Sequence, residues 1–217
     1  MRDRKAGAGS TKEPPVVSDE SLPFVDPPWA APLDVERALS DIPADSTISG
    51  MFFLAVVTAA KTRGITLPSA RKRYVQFTFY PLAELARLLV EASERFFPER
   101  TLRHALRPLG RSSPDAFLAS TLGRVTLGST REVHSAVAAM ANGYELNVGP
   151  CSVAVLDKGA RWAVIRLDNI VHFLDSHHVG NFEGVLRFAG VKGVVRIASR
   201  SPTSADFLLT WDAAKPA

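Results

Sequence analysis

The densest group of side chains able to do chemistry is His172, Asp175, His177 and His178. Imidazole and carboxylate together suit zinc or iron. A helix is predicted over about residues 176–189, and neighbours on one helix face stand three or four residues apart. On that geometry His177 and His178 cannot both join a site with the same reach, and no His-x-x-x-His pair occurs. The plainer reading lets Asp175 or Ser176 cap the helix and leaves the histidines solvated in the loop. His172, Asp175 and His177 are the metal candidates this stretch offers, but no metal or cofactor is assigned.

Arg161–Ser176, "RWAVIRLDNIVHFLDS", superficially looks like the strand pair of papain-like cysteine peptidases. Cys151 would be the nucleophile and Asp175 the orienting acid of a cysteine hydrolase. Arg161 stands where the base belongs, and a guanidinium cannot take a proton at neutral pH. Cys151 falls on a predicted strand, away from any helix N-terminus that would acidify it. As the single cysteine, it also excludes an internal disulfide and a multi-thiolate metal site. Glycine-containing spots such as Gly123–Gly128 lack the Lys-Ser/Thr of a phosphate loop. The expectation is a protein that is not an enzyme.

Charge is unevenly spread. Residues 1–50 carry 5 basic and 9 acidic side chains, residues 51–112 carry 11 and 4, and residues 113–217 carry 10 and 9. The basic stretch could meet an acidic protein, a nucleic acid or anionic lipid. The alternative is a set of solvated helix faces. No aromatic stacking pattern accompanies the arginines, which argues against nucleic acid.

These residues must be positioned by two kinds of element. Residues 1–32 hold Pro14, Pro15, Pro23, Pro27, Pro28 and Pro32 and too few apolar residues for a core, so they read as a disordered tail. Phe24, Val25 and Trp29 are the residues of that tail able to dock. Residues 33–217 read as one domain. Its part 33–143 is helical: Leu33–Leu39, Gly50–Arg63 stopped by Gly64, an amphipathic helix through Leu82, Leu85, Leu88, Leu89, Ala92 and Phe96, and another from near Glu99. Ser113-Pro114-Asp115 is a helix start signal. Ser129 with Glu132 fits a capping box, and that helix is expected to stop at Asn142-Gly143. The part 144–217 turns to strands. Cys151–Leu156 and Trp162–Leu167 read as a hairpin turning at Asp157–Gly159, apolar on both faces. A helix follows, then strands Gly193–Ala198 and Ala205–Trp211. The predicted class is α+β: a helical bundle on a small, mostly antiparallel sheet, in the order helices then β-β-α-β-β.

The whole chain has 217 residues, 46% hydrophobic and 22% charged, ordinary values for a folded chain. Its longest mostly apolar run, Ile48–Ala60, is too short to cross a bilayer, which takes about 20 residues. Arg2, Arg4 and Lys5 are not followed by the apolar stretch of a secretory signal, so a cytoplasmic protein is expected.

Several fragments together resemble an uncharacterised paralogous family of about 200 residues, many-copy in myxobacteria. They are Tyr80-Pro81 before an amphipathic helix, "LRPLGR" (Leu106–Arg111), "ASTLGR" (Ala119–Arg124), "HVGNFEGVLRFAGVK" (His178–Lys192) and "ADFLLTW" (Ala205–Trp211). Arg111 and Arg124 each follow a glycine inside these fragments. They are either charges complementing helix ends or guanidinium forks for an anionic ligand or partner, and with Tyr80 they are the candidate partner-binding residues. The element order is also similar to four-vinyl-reductase-type and haem nitric-oxide-binding domains, whose cavity between helices and sheet holds a small molecule. That resemblance raises haem, with His104 or His134 as axial ligand. Tyr74, Tyr80 and Tyr144 all lack the Tyr-x-Ser-x-Arg pattern of those domains, so no cofactor is implied. Two functions follow: a non-catalytic regulatory or adaptor domain for a protein partner or small ligand, or a small-molecule sensor with an apolar cavity between helices and sheet.

Overall fold

Leu82, Leu85, Leu88, Leu89 and Ala92 recur at helical spacing, and all are buried along one face of a helix. That helix anchors an α+β fold in a computed structural model, which describes residues 22–119, 132–170 and 172–213. The helices are α1 (Val35–Ser40), α2 (Gly50–Thr62), α3 (Leu82–Phe96), α4 (Leu102–Ala119), α5 (Val133–Asn147) and α6 (Val179–Phe188). The strands are β1 (Thr47–Ser49), β2 (Phe79–Pro81), β3 (Val148–Gly149), β4 (Ser152–Gly159), β5 (Trp162–Asp168), β6 (Gly193–Ser201) and β7 (Ser204–Trp211). They form a three-stranded sheet, β2-β1-β3, and a four-stranded sheet, β4-β5-β7-β6, with every pairing antiparallel. No helix among the described residues is long and apolar enough to cross a membrane.

Local signals place most helix ends. Asp34 caps α1, its carboxylate accepting the Arg37 amide at 3.0 Å. Glu132 caps α5, accepting from the amides of His134 and Ser135; Ser129, its expected partner in a capping box, lies outside the described residues. Two signals mislead. Ser113-Pro114 starts nothing: α4 runs unbroken through Pro108 and Pro114. Each proline removes a backbone donor, but α4 lies along α6 in the most extensive helix–helix packing among the described residues, and packing overrides propensity. Gly143 does not stop α5, which continues to Asn147. A side chain there would collide with the Phe117 ring, so this glycine marks a close contact.

The sheet half differs in three respects. The β4–β5 turn falls at Ala160-Arg161, since a bulge after Val155 shifts the register. β4 is an edge strand, with Val155 and Leu156 exposed and only β5 and β7 buried on both faces. The outer face of β5 and β7 carries Trp162, Val164 and Leu208, covered by Phe24. Val25 bridges to Ile197 in both directions, and the Trp29 carbonyl accepts from Thr101 at 2.6 Å. Part of the stretch assigned to the tail therefore packs on the domain. The three-stranded sheet was not foreseen, because strands of two or three residues carry no readable period.

Candidate functional site

α4 and α6 cross at backbone contact. A Cβ on Gly110 would stand 1.9 Å from the His177 carbonyl oxygen, and one on Gly180 would stand 2.1 Å from that of Arg107. Only glycine permits this approach, and it presses the start of α6 against α4. On the outer side Glu183 accepts from Arg107 Nε at 2.8 Å and Arg111 Nη2 at 2.6 Å. On the inner side the chain enters α6 through a π turn, Leu174–His178. The His178 amide reaches the Phe173 carbonyl five residues back, at 3.3 Å. Phe173 is left-handed, with φ 50° and ψ 43°, a conformation costing a bulky side chain about 1–2 kcal/mol.

The wider turn changes what the histidines can do. Ordinary helical spacing would separate His177 and His178; here their ring centroids are 5.3 Å apart. His172 joins them, its centroid 4.7 Å from that of His178 and 5.9 Å from that of His177. One ring nitrogen from each lies within 4.8 Å of the other two. All three rings are buried. Burial disfavours the charged form, lowering His172 to about 4 and His177 to about 3; His178 is lowered by burial and by its two neighbours, which outweigh a raising contact with the His172 backbone. The cluster is therefore neutral at pH 7.

His178 Nδ1 lies 2.7 Å from the Tyr144 hydroxyl, and Asn181 Nδ2 donates to the same hydroxyl. Burial raises the Tyr144 phenol well above its ordinary range, so it keeps its proton. His172 Nδ1, His177 Nδ1, His178 Nε2 and Asn181 Oδ1 are buried without a hydrogen-bond partner. An unsatisfied buried polar atom costs about 1–3 kcal/mol, and four gathered in one place point to something that completes them.

These groups form the polar corner of an apolar cavity. Its remaining wall includes Phe52, Val56, Leu89, Phe117, Met140 and Val185. The lining comes from the helices, the histidine turn, β1 and β3, and not from the four-stranded sheet. About 50 Å³ is open to molecules the size of water, room for a few waters or one small ligand.

The other sequence candidates fall elsewhere. Asp175 turns away from the histidines and pairs with Arg103. Tyr80 is core, its hydroxyl accepting from the Val75 amide at 2.9 Å and its ring against Phe53 and Tyr74. Arg111 is engaged by Glu183 inside the molecule, and Arg124 lies outside the described residues. The Cys151 thiol donates to the Val148 carbonyl at 3.2 Å and is raised to about 11, chiefly by burial. Asp175 is held by Arg103 and does not serve as the orienting acid for Cys151. His178, Tyr144 and Asn181 were missed as site residues: a predicted stop at Gly143 left Tyr144 without a helix, and helical spacing set His178 against His177.

The arrangement of helices and sheet defines the class: the fold is that of H-NOX domains. An Fe(II) unliganded H-NOX protein from K. algicida aligns with TM-score 0.58 and 12% identity, over 78% of this chain and 100% of that one. An S. oneidensis H-NOX protein in the Fe(II)NO ligation state gives 0.53 and 10%, over 76% and 99%. An oxygen-binding H-NOX domain related to soluble guanylate cyclases gives 0.52 and 12%, over 77% and 92%. The chain belongs to the family described as protein of unknown function (DUF2378), whose pattern spans residues 42–212. No curated protein matches its sequence.

That fold raises haem, and the cavity does not fit one. Exposed His104 sits beside Trp29, and His134 bonds the Gly159 carbonyl at 2.9 Å, so neither lines the cavity. The space available is that of a few waters, far short of a porphyrin.

Proposed function

We propose that this chain is a non-catalytic regulatory module that holds a small, largely apolar molecule in the cavity walled by α2–α6, acting as a sensor in the cytoplasm. The observation that carries the reading is the cavity itself: mostly apolar walls with a few convergent polar groups at one corner, the usual make-up of a ligand site. The likeness in fold to domains described as oxygen-binding or in an NO-ligated state supports it. The absence of an activated nucleophile at Cys151 supports a binding role over a hydrolytic one.

Xenon tests the cavity directly, because dry apolar cavities take it up. Amide and methyl NMR of the full chain under xenon should show saturable shifts at Val56, Met140 and Val185, lost in Ala136→Phe. Shifts that never saturate, or that scatter over the surface, would remove the reading.

A second reading, docking of a protein partner, has its own support. Val75, Phe77 and Phe79 are exposed apolar residues in the segment entering β2, which shares a sheet with cavity-lining Ile48 and Val148. Concentration-dependent self-association that disappears in the Phe77→Ser/Phe79→Ser variant would favour it over the sensor.

A further inference from the structure

We propose that His172, His177 and His178 together bind one divalent first-row transition-metal ion, of the zinc or iron(II) class, in the wall of the apolar cavity. This goes beyond the sensor reading and stands without it.

The donor set carries the inference. Three imidazoles from a stretch of seven residues converge with one nitrogen each inside 4.8 Å. Imidazole is the donor shared by zinc, iron, nickel and copper sites. Every ring also has a buried nitrogen with no hydrogen-bond partner. Nitrogens bound at about 2.0–2.1 Å around a tetrahedral ion stand roughly 3.3 Å apart, so the rings need only close in by about 1.5 Å or less. A core built merely for packing would fill this corner with apolar side chains; this one buries three imidazoles, each with an unpartnered nitrogen.

The surroundings have the form of a metal site. A ligating histidine ordinarily hands its second nitrogen to an oxygen that fixes ring and tautomer. His178 Nδ1 has the Tyr144 hydroxyl at 2.7 Å, itself held by Asn181, and His177 Nε2 has Ser113 Oγ at 3.5 Å. With His178 Nε2 on the ion, Nδ1 carries the proton and donates to Tyr144. Burial keeps the imidazoles neutral and their lone pairs available at pH 7. The backbone is tailored to the same end by the π turn, the left-handed Phe173 and the Gly110–His177 approach. Asp175 is not part of the set, so three neutral donors leave the ion its full charge and an open position. The three histidines line the cavity, from which water, hydroxide or a small lone-pair donor would complete the ion's coordination.

The test uses the full chain, free of any polyhistidine tag, stripped with chelator and titrated with Co²⁺ and then Zn²⁺. One Co²⁺ per chain should bind with the intense visible bands of a four-coordinate site, and one equivalent of Zn²⁺ should remove them. His172→Ala and His178→Ala should each weaken Zn²⁺ binding by about 100-fold or more, and Tyr144→Phe by about 10-fold. His104→Ala and His134→Ala should bind as the parent does. Circular dichroism checks that each variant is folded. Absence of saturable Co²⁺ uptake by the parent chain, which needs no variant, would overturn the proposal. So would uptake that survives in folded His172→Ala and His178→Ala; a water cluster would then be what fills the corner.

Discussion

Helix α6 carries two polar clusters that begin two residues apart and differ in kind. Glu183 faces outward and is met by Arg107 and Arg111 of α4, so its carboxylate is fully engaged. Asn181 faces inward with His177, His178 and His172, and that group keeps several buried atoms unpaired. The first cluster is charged and partly exposed; the second is neutral and buried. A satisfied network rivets two helices together, whereas an unsatisfied one has capacity left for a ligand. Within the basic stretch 51–112, Arg103, Arg107 and Arg111 are engaged by Asp175 and Glu183 within the molecule.

The contrast can be broken at the crossing that holds both clusters. Gly110→Val places a Cβ 1.9 Å from a backbone carbonyl that cannot yield. Forcing α4 from α6 should cost about 4 kcal/mol, visible as a large fall in Tm; a fall under about 1 kcal/mol would mean the crossing is not rigid. The inner cluster is next. His172 has a folded pKa of about 4 against an ordinary value near 6.5. The unfolded chain takes up that proton first, so stability is full above about pH 6.5 and declines as pH falls toward 4. In chelator-treated protein the loss from His172 alone should be about 3 kcal/mol, and urea titrations should show a shallower decline in His172→Phe. The outer cluster should respond less: Glu183→Gln leaves two guanidinium groups short of a carboxylate, but water screens them, so about 2 kcal/mol is expected in urea melts. Arg187 and Asp115 pair while more than half exposed. Arg187→Ala should therefore move stability by under about 0.5 kcal/mol, and a loss as large as that of Glu183→Gln would place it in the rivet.

The helices were readable where apolar period and caps agree, as in α3 with its leucines and α1 with Asp34. The site was readable only in part. His172 and His177 stood out as metal-type residues, but Asp175 was grouped with them because it is close along the chain. In space Arg103, from α4, claims it. His178 was excluded by the assumption of 3.6 residues per turn, and a π turn escapes that assumption. Gly143 looked like a stop because glycine commonly is one; the Phe117 ring above it gives a different reason for a missing side chain.

The sequence by itself determined the α+β class, the order of helices and strands and the stretch that supplies the histidines, because periodicity, capping and turn chemistry act over a few residues. Tertiary structure alone decided that α4 runs through two prolines, that α5 reaches Tyr144 and that three histidines share one buried corner. Each of these depends on what packs against the chain from far along the sequence, and the cost of burying an unpaired nitrogen or a crossing backbone appears only once both sides are in place.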